Sequence, residues 1–234
     1  MPPAPKPRDA ASLLLLKGSG AGASILRGRR PAASSFAPDF FVFPGGKLEA
    51  HDHGLPCPFP LSPETERGLR TSTAVSAETA RALANAAIRE TYEETGLLLA
   101  RPGRFSSPAH GPWHAFSRRG LAPDHSALGM IGRAITPRKS PVRFHARFLL
   151  AHASATVGRL RPNEELLDLA WYPLQDALRL PAIDVTQILL REVLQAVESG
   201  LDHAPPRRAF IRYRDEVPMV RYESNLPAGA ERNA

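Results

Sequence analysis

Three observations in the sequence predict an α/β fold. Apolar runs of strand length recur at residues 11–17, 23–29, 40–43, 97–100, 143–151 and 165–172. Two longer segments, residues 76–96 and 184–199, space their apolar residues every three to four positions, the period of a helix lying on a core. The first of these ends in a crowd of acids, Arg89-Glu90-Thr91-Tyr92-Glu93-Glu94-Thr95-Gly96, closed by a glycine.

Length and composition set the frame. The chain has 234 residues, 43% of them hydrophobic, which suits one domain with a real core. The expected organisation is a loose start at 1–10, a domain over 11–204 and a tail at 205–234. Within the domain, 53–75 reads as an insertion and 101–141 as a Pro/Arg-rich elaboration. The formal net charge is +7. No dense Lys/Arg run with interleaved aromatics accompanies it, so the charge points to a phosphorylated small molecule and away from nucleic acid. Cys57 is the one cysteine, which rules out an internal disulfide and fits a reducing compartment. Flanked by Pro56 and Pro58 with no base beside it in sequence, it reads as a loop residue. The apolar run at 13–16 is too short for a signal segment or a membrane span, so no membrane is expected and a cytoplasmic location is.

Taken in order, residues 11–17 and 23–29 read as a strand pair turned by a glycine-rich stretch. The spacing of those glycines fits neither common phosphate-loop pattern. Arg27, Arg29 and Arg30 end this hairpin, within reach of a phosphate or of solvent. Phe40 to Phe43 form a short strand closed by Pro44-Gly45-Gly46. Paired glycines after a strand turn sharply or let a ligand approach the backbone, so Phe43 and Gly45 join Arg27 and Arg29 as candidate substrate contacts. Residues 51–75 show no period and read as an excursion, partly ordered at best. Ser76 is a plausible N-cap with Glu78 in the first turn, and Gly96 supplies the stop. Within 101–141, residues 113–119 and 125–133 each suggest a short helix, and the segment is placed to cover a pocket. After the strands at 143–151 and 165–172 come a helical turn at 174–178, the helix at 184–199 and a terminal hairpin within 209–222. Trp113, Phe116 and Phe144 are candidate base-stacking residues, with core packing the alternative for Phe144.

The acids at the end of the first helix carry the chemistry. At 100° per residue, Glu90, Glu93 and Glu94 fall on one arc beside the apolar face. Carboxylates so close repel one another and raise one another's pKa unless something compensates them. They also sit at the helix end where the macrodipole disfavours negative charge. A divalent cation removes both costs, and hard oxygen ligands suit Mg²⁺ or Mn²⁺ shared with waters and substrate phosphates. Arg89 is placed to orient one glutamate through a charge-assisted hydrogen bond. A solvated acidic helix face is the alternative reading.

Together, Gly46…Asp52 and Arg89-Glu90…Glu93-Glu94-x-Gly96-Leu97 resemble the Nudix box, G-x5-E-x7-R-E-U-x-E-E-x-G-U, where U is a bulky aliphatic. The match has three departures. Asp52 stands for the first glutamate, Thr91 for an aliphatic, and residues 53–88 separate the halves where the motif has seven positions. An interrupted box with Pro-Gly-Gly in its first half resembles the subgroup of peroxisomal coenzyme A diphosphatases. Residues 143–151 and the stretch from Asn163 to Leu174 are similar to the later strands of the family.

The resemblance implies an αβα sandwich with a mixed sheet and hydrolysis of a nucleoside diphosphate linked to another moiety. It implies Glu90, Glu93 and Glu94 as metal ligands, the Gly46 carbonyl completing the shell, Arg89 orienting a glutamate, and Glu164 or Glu165 from a later loop as a base. Coenzyme A or an acyl-CoA is the substrate the subgroup suggests, although the signature that normally leads into the Gly-Gly turn is not evident. ADP-ribose, NADH and dinucleotides remain alternatives, as does a non-hydrolytic nucleotide-sensing module. Dimers are common in the family, so a homodimer stays open.

Overall fold

A computed structural model of the chain describes residues 5–70, 75–106, 111–161, 163–201, 203–205 and 207–224. Parts of the expected loose start (1–4), insertion (71–74) and tail (225–234) therefore lie outside the described residues. In chain order the elements are β1 (Arg8–Lys17), β2 (Ser24–Arg29), β3 (Phe41–Val42), β4 (Gly45–Lys47), α1 (Pro63–Arg70), α2 (Ala77–Thr95), β5 (Leu98–Pro102), α3 (His114–Ser117) and β6 (Leu121–Pro123). They continue with β7 (Gly129–Ile135), β8 (Phe144–His152), β9 (Thr156–Val157), β10 (Leu167–Pro173), α4 (Leu174–Ala177), α5 (Asp184–Glu198), β11 (Arg207–Arg214) and β12 (Val217–Ser224).

The main sheet runs β10-β2-β1-β8-β7-β11-β12, with β3 on β2 and β4 on β1. β1 pairs with β8 and β7 with β11 in parallel, and the other pairs are antiparallel, so the sheet is mixed. Helices cover both faces, which is why β1 reads as an unbroken apolar run. Leu13 and Leu15 point into the core under α2, and Leu14 and Leu16 into the core under α5. The result is the αβα sandwich. A smaller sheet, β6-β5-β9, lies beside it.

One irregularity positions the site. β1 and β2 pair only at their turn end, through Leu16↔Ile25 and Lys17↔Ser24. Beyond that point β3 takes the place beside β2, and β4 takes the place beside β1 through Ala10↔Lys47, Ala11↔Gly46 and Ser12↔Gly45. The strands part around the turn at Pro44, whose carbonyl accepts from the Leu13 N–H at 2.9 Å. α2 packs on β1 and β4, so its acidic end meets the Gly-Gly turn there.

Several expectations need correction. The chain enters the sheet at Arg8, three residues before the expected start, because Arg8 to Leu16 pair in continuous register with β8. The predicted helix over 125–133 is a single turn at His125–Ala127 followed by β7, a central strand. Gly129 and Gly132 suggest a break, but Met130 and Ile131 fill opposite cores and strands flank both sides. The hairpin β11–β12 extends the main sheet through β7 and is not an appended tail. The insertion is also built in. It carries α1, buries Leu61 and Leu69, and ties Thr65 Oγ1 to the Leu128 carbonyl at 2.8 Å. Leu69→Ala is expected to lower the unfolding free energy by about 2–4 kcal/mol, read as a shift of the urea midpoint. Removing residues 54–70, which an unstructured insertion would tolerate, is expected to cost soluble expression.

Candidate active site

Helix α2 is set by its ends. Ser76 Oγ accepts from the Thr79 N–H at 3.0 Å, and Gly96 closes the helix at φ +79°, a left-handed position that glycine fills without strain. Thr91, the motif's missing aliphatic, is fully buried and gives its hydroxyl proton to the Ala87 carbonyl at 2.7 Å. Its polar atom is thus satisfied within the helix, and the position serves packing.

The two halves of the box do meet. Arg89, 4% exposed at its side chain, donates Nε to Asp52 Oδ1 at 2.8 Å and Nη2 to Asp52 Oδ2 at 3.0 Å. It also donates Nη1 to Glu90 Oε1 at 2.9 Å and to Glu93 Oε2 at 2.8 Å, and Nη2 to the Lys47 carbonyl at 3.0 Å. Burial opposes the charge on Arg89, and the hydrogen bonds and fields of Asp52, Glu90 and Glu93 more than restore it, so its pKa is raised. Asp52, fully buried, is therefore the anchor of Arg89. Its carboxylate also accepts from the Glu49 N–H at 2.9 Å, which fixes the short turn at Ala50–Asp52.

Glu90 and Glu94 line a cavity of about 880 Å³ together with Gly45, Gly46, Glu164 and Glu165. The Gly45 N–H donates to Glu94 Oε2 at 2.9 Å, and a Cβ on Gly46 would fall 2.0 Å from Glu90 Oε1. That close approach explains the second glycine. Gly46→Ala is expected to displace the Glu90 carboxylate and lower kcat by about 10²-fold with little change in melting temperature, measured by steady-state kinetics beside a thermal melt. Burial pushes the Glu94 carboxyl up to about 8; nearby Glu90 and Glu165 add to this, while the Gly45 amide and Arg30 oppose it. Burial also raises Glu90, against Arg89.

A buried and a partly buried glutamate whose ionisation burial makes costly, lining one cavity with Gly46, fit a hard divalent cation, which stabilises the ionised forms. Among the described residues no three His, Cys, Asp or Glu side chains converge as a closed cage. Mg²⁺ sites that share their shell with substrate phosphates need no such cage. Glu93 points to Arg89, with a side chain 38% exposed, and does not line the cavity.

The substrate contacts divide. Phe43 and Gly45 line the cavity. Arg27 does not: it is fully buried, donates to the Ala177 carbonyl at 2.8 Å and to the Phe41 carbonyl, and lies over the Phe41 and Phe43 rings. Arg29 also falls outside, held by Asp168 at 2.7 Å and Asp39 at 3.0 Å. Arg30 is the arginine of this strand end that lines the cavity. Phe144 lines it too, edge-on to Phe36 at 5.8 Å, whereas Trp113 and Phe116 pack under α2 with Phe105. Part of the elaboration therefore packs under α2 and part forms β7, and among its described residues Ala134, Thr136, Pro137 and Ser140 reach the cavity.

Asn163 is a site residue that the pattern of acids does not reveal. Its Nδ2 donates to the Glu94 carbonyl, and its Oδ1 accepts from the N–H groups of Glu165 at 2.9 Å and Leu166 at 2.7 Å. This Asx turn pins the Glu164-Glu165 loop to the end of α2.

A second support reaches Asp52 from below. Asn85 Nδ2 donates to the Asp52 carbonyl at 2.8 Å, which leaves Asn85 Oδ1 to accept from His125 Nε2 at 2.7 Å. His125 Nδ1 then carries the lone pair and accepts from Cys57 Sγ at 2.7 Å. Cys57 therefore has the neighbouring base that its sequence setting lacks. Burial raises the thiol and lowers His125 to about 4, so both are neutral near pH 7 and the contact is a structural tie. The unfolded histidine titrates near 6.5. Stability contributed by the buried neutral ring is therefore complete above pH 6.5 and declines as pH falls toward 4, by at most about 3 kcal/mol. Because His145, also lowered to about 4, and Glu94, raised to about 8, titrate in the same window, the difference between proteins is the readout: in urea titrations at pH 7.5 and 4.5, His125→Gln is expected to lose less stability on acidification than wild type.

No family model matches the chain. Among solved structures, a Nudix hydrolase from Alicyclobacillus acidocaldarius is 28% identical, with 86% of this chain and 99% of that one covered at a TM-score of 0.61. A MutT protein from Bacillus halodurans matches at 14% identity over 92% of this chain and 97% of its own, with a TM-score of 0.49. A MutT Nudix hydrolase from Burkholderia pseudomallei matches at 20% identity over 81% and 99%, with a TM-score of 0.46. The chain thus shares its fold with a Nudix hydrolase, and that similarity supports an enzyme of the pyrophosphohydrolase type.

Proposed function

We propose that the chain hydrolyses the pyrophosphate of a nucleoside diphosphate linked to a second moiety, with Mg²⁺ or Mn²⁺, and that coenzyme A or an acyl-CoA is its substrate. The observation that carries the reaction is the pair Glu94, buried, and Glu90, partly buried, which line one cavity with Gly46. When bound, the cation neutralises pyrophosphate charge and lowers the pKa of a water. Glu90, Glu94 and the Gly46 carbonyl hold it. Glu93 acts through Arg89, which it shares with Glu90. Glu165, pinned near Glu94 by Asn163, accepts the proton of the attacking water.

Two features support the coenzyme A reading. The box is interrupted after Asp52, and the cavity has an apolar wall of Val42, Phe43, Phe148, Ile183 and Val185, which suits a long, weakly polar chain. One observation favours ADP-ribose as a second reading. Asp184, Tyr213 and Glu216 also line the cavity, and such groups accept hydrogen bonds from sugar hydroxyls and repel a further phosphate. Phosphate-compound release assays on coenzyme A, acetyl-CoA, ADP-ribose, NADH and diadenosine polyphosphates, with Mg²⁺ and with Mn²⁺, test both. Preference for the coenzyme A pair supports the first reading and preference for ADP-ribose the second. Nucleotide binding without turnover of any compound would replace both with a sensing module.

A further inference from the structure

We infer that Arg30 is a phosphate-positioning residue of this site, a bidentate clamp for the diphosphate of the substrate on the cavity wall. The inference rests on the proposed reading that the cavity takes a nucleoside diphosphate.

The three arginines at the end of β2, Arg27, Arg29 and Arg30, have different fates. Arg27 and Arg29 are consumed by the protein, the first by two carbonyls and two aromatic rings, the second by two aspartates. Arg30 lines the cavity, which Arg27 does not, and its Nε, like that of Arg27, is buried with no hydrogen-bond partner among the described residues, so of the two only the Arg30 Nε is placed where a ligand could meet it. A buried donor without a partner is costly, and a ligand oxygen removes that cost. Arg30 lies close enough to Glu94 for its charge to favour the ionised carboxylate, so its field reaches the place where the pyrophosphate would meet the glutamates.

Its position is fixed by backbone. The Arg30 N–H donates to the Phe40 carbonyl at 3.0 Å, and its carbonyl accepts from the Asp39 N–H at 3.1 Å. These two bonds close the neck of the loop at 31–39, which carries Ser34, Ser35 and Phe36 along the cavity wall. The guanidinium therefore starts from a rigid base, beside the parted strands β1 and β2. Lys47 is the other cation of the lining, but its ammonium is half exposed and lies 4.0 Å from Glu49. The planar fork of arginine matches two phosphate oxygens, which a lysine cannot do.

The test uses ADP and adenosine as probes, by calorimetry in EDTA so that no cation contributes, beside steady-state turnover of the best substrate with Mg²⁺. Wild type is expected to bind ADP at least tenfold tighter than adenosine. Arg30→Met is expected to erase that preference and raise KM about tenfold or more, with a smaller change in kcat and an unchanged melting temperature. Arg30→Lys is expected to recover only part of the preference, and it stands in if the methionine variant folds poorly. An ADP preference and a KM equal to wild type in both variants, with wild type turning over, would overturn the role of Arg30 and leave the proposed function standing. Loss of the ADP preference in the variants while wild type hydrolyses nothing would retain the clamp and remove the hydrolase reading.

Discussion

Glu94→Gln is expected to lower kcat by about 10³-fold while the melting temperature holds or rises. The first part follows from the position of Glu94. If Glu94 is the cation ligand proposed above, its removal takes one hard charged ligand from a site that must neutralise a pyrophosphate and so several kcal/mol of transition-state stabilisation, at about 1.4 kcal/mol per decade. The second part follows from its burial. The carboxyl is held up to about 8 by its apolar surroundings and by Glu90 and Glu165, so its ionised form is a strain on the fold near neutral pH. Glutamine keeps an acceptor for the Gly45 N–H and removes the charge. Activity and stability are thus expected to move in opposite directions, which no account of Glu94 as a structural residue produces. Thermal melts and initial rates on one preparation check both. Glu93→Gln is expected to cost less, because Glu93 acts through Arg89 and faces away from the cavity.

Asp52→Ala is expected to be the most destabilising single change near the site, by about 3–5 kcal/mol, because it leaves the buried Arg89 guanidinium without its bidentate partner. For a chain of this size that is a fall in melting temperature of about 10 °C. Activity is expected to fall as well, since an Arg89 released from Asp52 no longer holds Glu90 and Glu93 in place. Asp52→Glu, which restores the acid of the Nudix motif, is expected not to improve the enzyme. Asp52 has no exposed surface, its carboxylate also takes the Glu49 N–H, and its carbonyl takes Asn85, so an added methylene overpacks the turn. Calorimetric scans of the three proteins give the order directly. A stability of Asp52→Ala within 1 kcal/mol of wild type would contradict this anchoring role.

The box halves are remote in sequence and adjacent in space because β4 pairs with β1 and α2 packs on both. Nothing in the spacing reveals that pairing, but the residue types on either side do. Paired glycines before an acid, and an arginine before three glutamates, are legible because each type answers a local demand: close approach, anchoring and charge. Helix α2 is legible for the same reason, with a serine cap, a glycine stop and a regular apolar face. β7 is not, because its segment reads as a short helix, its two glycines weaken any strand pattern, and only its neighbours in the sheet make it a strand. The insertion and the arginines fail for a related reason. Leu61 and Leu69 are too sparse to set a period, yet tertiary contacts order them. Arg27, Arg29 and Arg30 are equivalent in sequence, and the partners that separate them come from residues 39, 41, 168 and 177. The relay from Cys57 through His125 and Asn85 to Asp52 joins four separate segments and leaves no local signal.

The proposed cation site, Glu90 and Glu94, lies where the two box halves meet. Titration of Mn²⁺ followed by electron paramagnetic resonance, with no substrate present, tests it most directly. Wild type is expected to take up Mn²⁺, in competition with Mg²⁺, and Glu90→Gln/Glu94→Gln is expected to lose that uptake while melting no lower than wild type. Equal Mn²⁺ uptake by the two proteins would contradict the account.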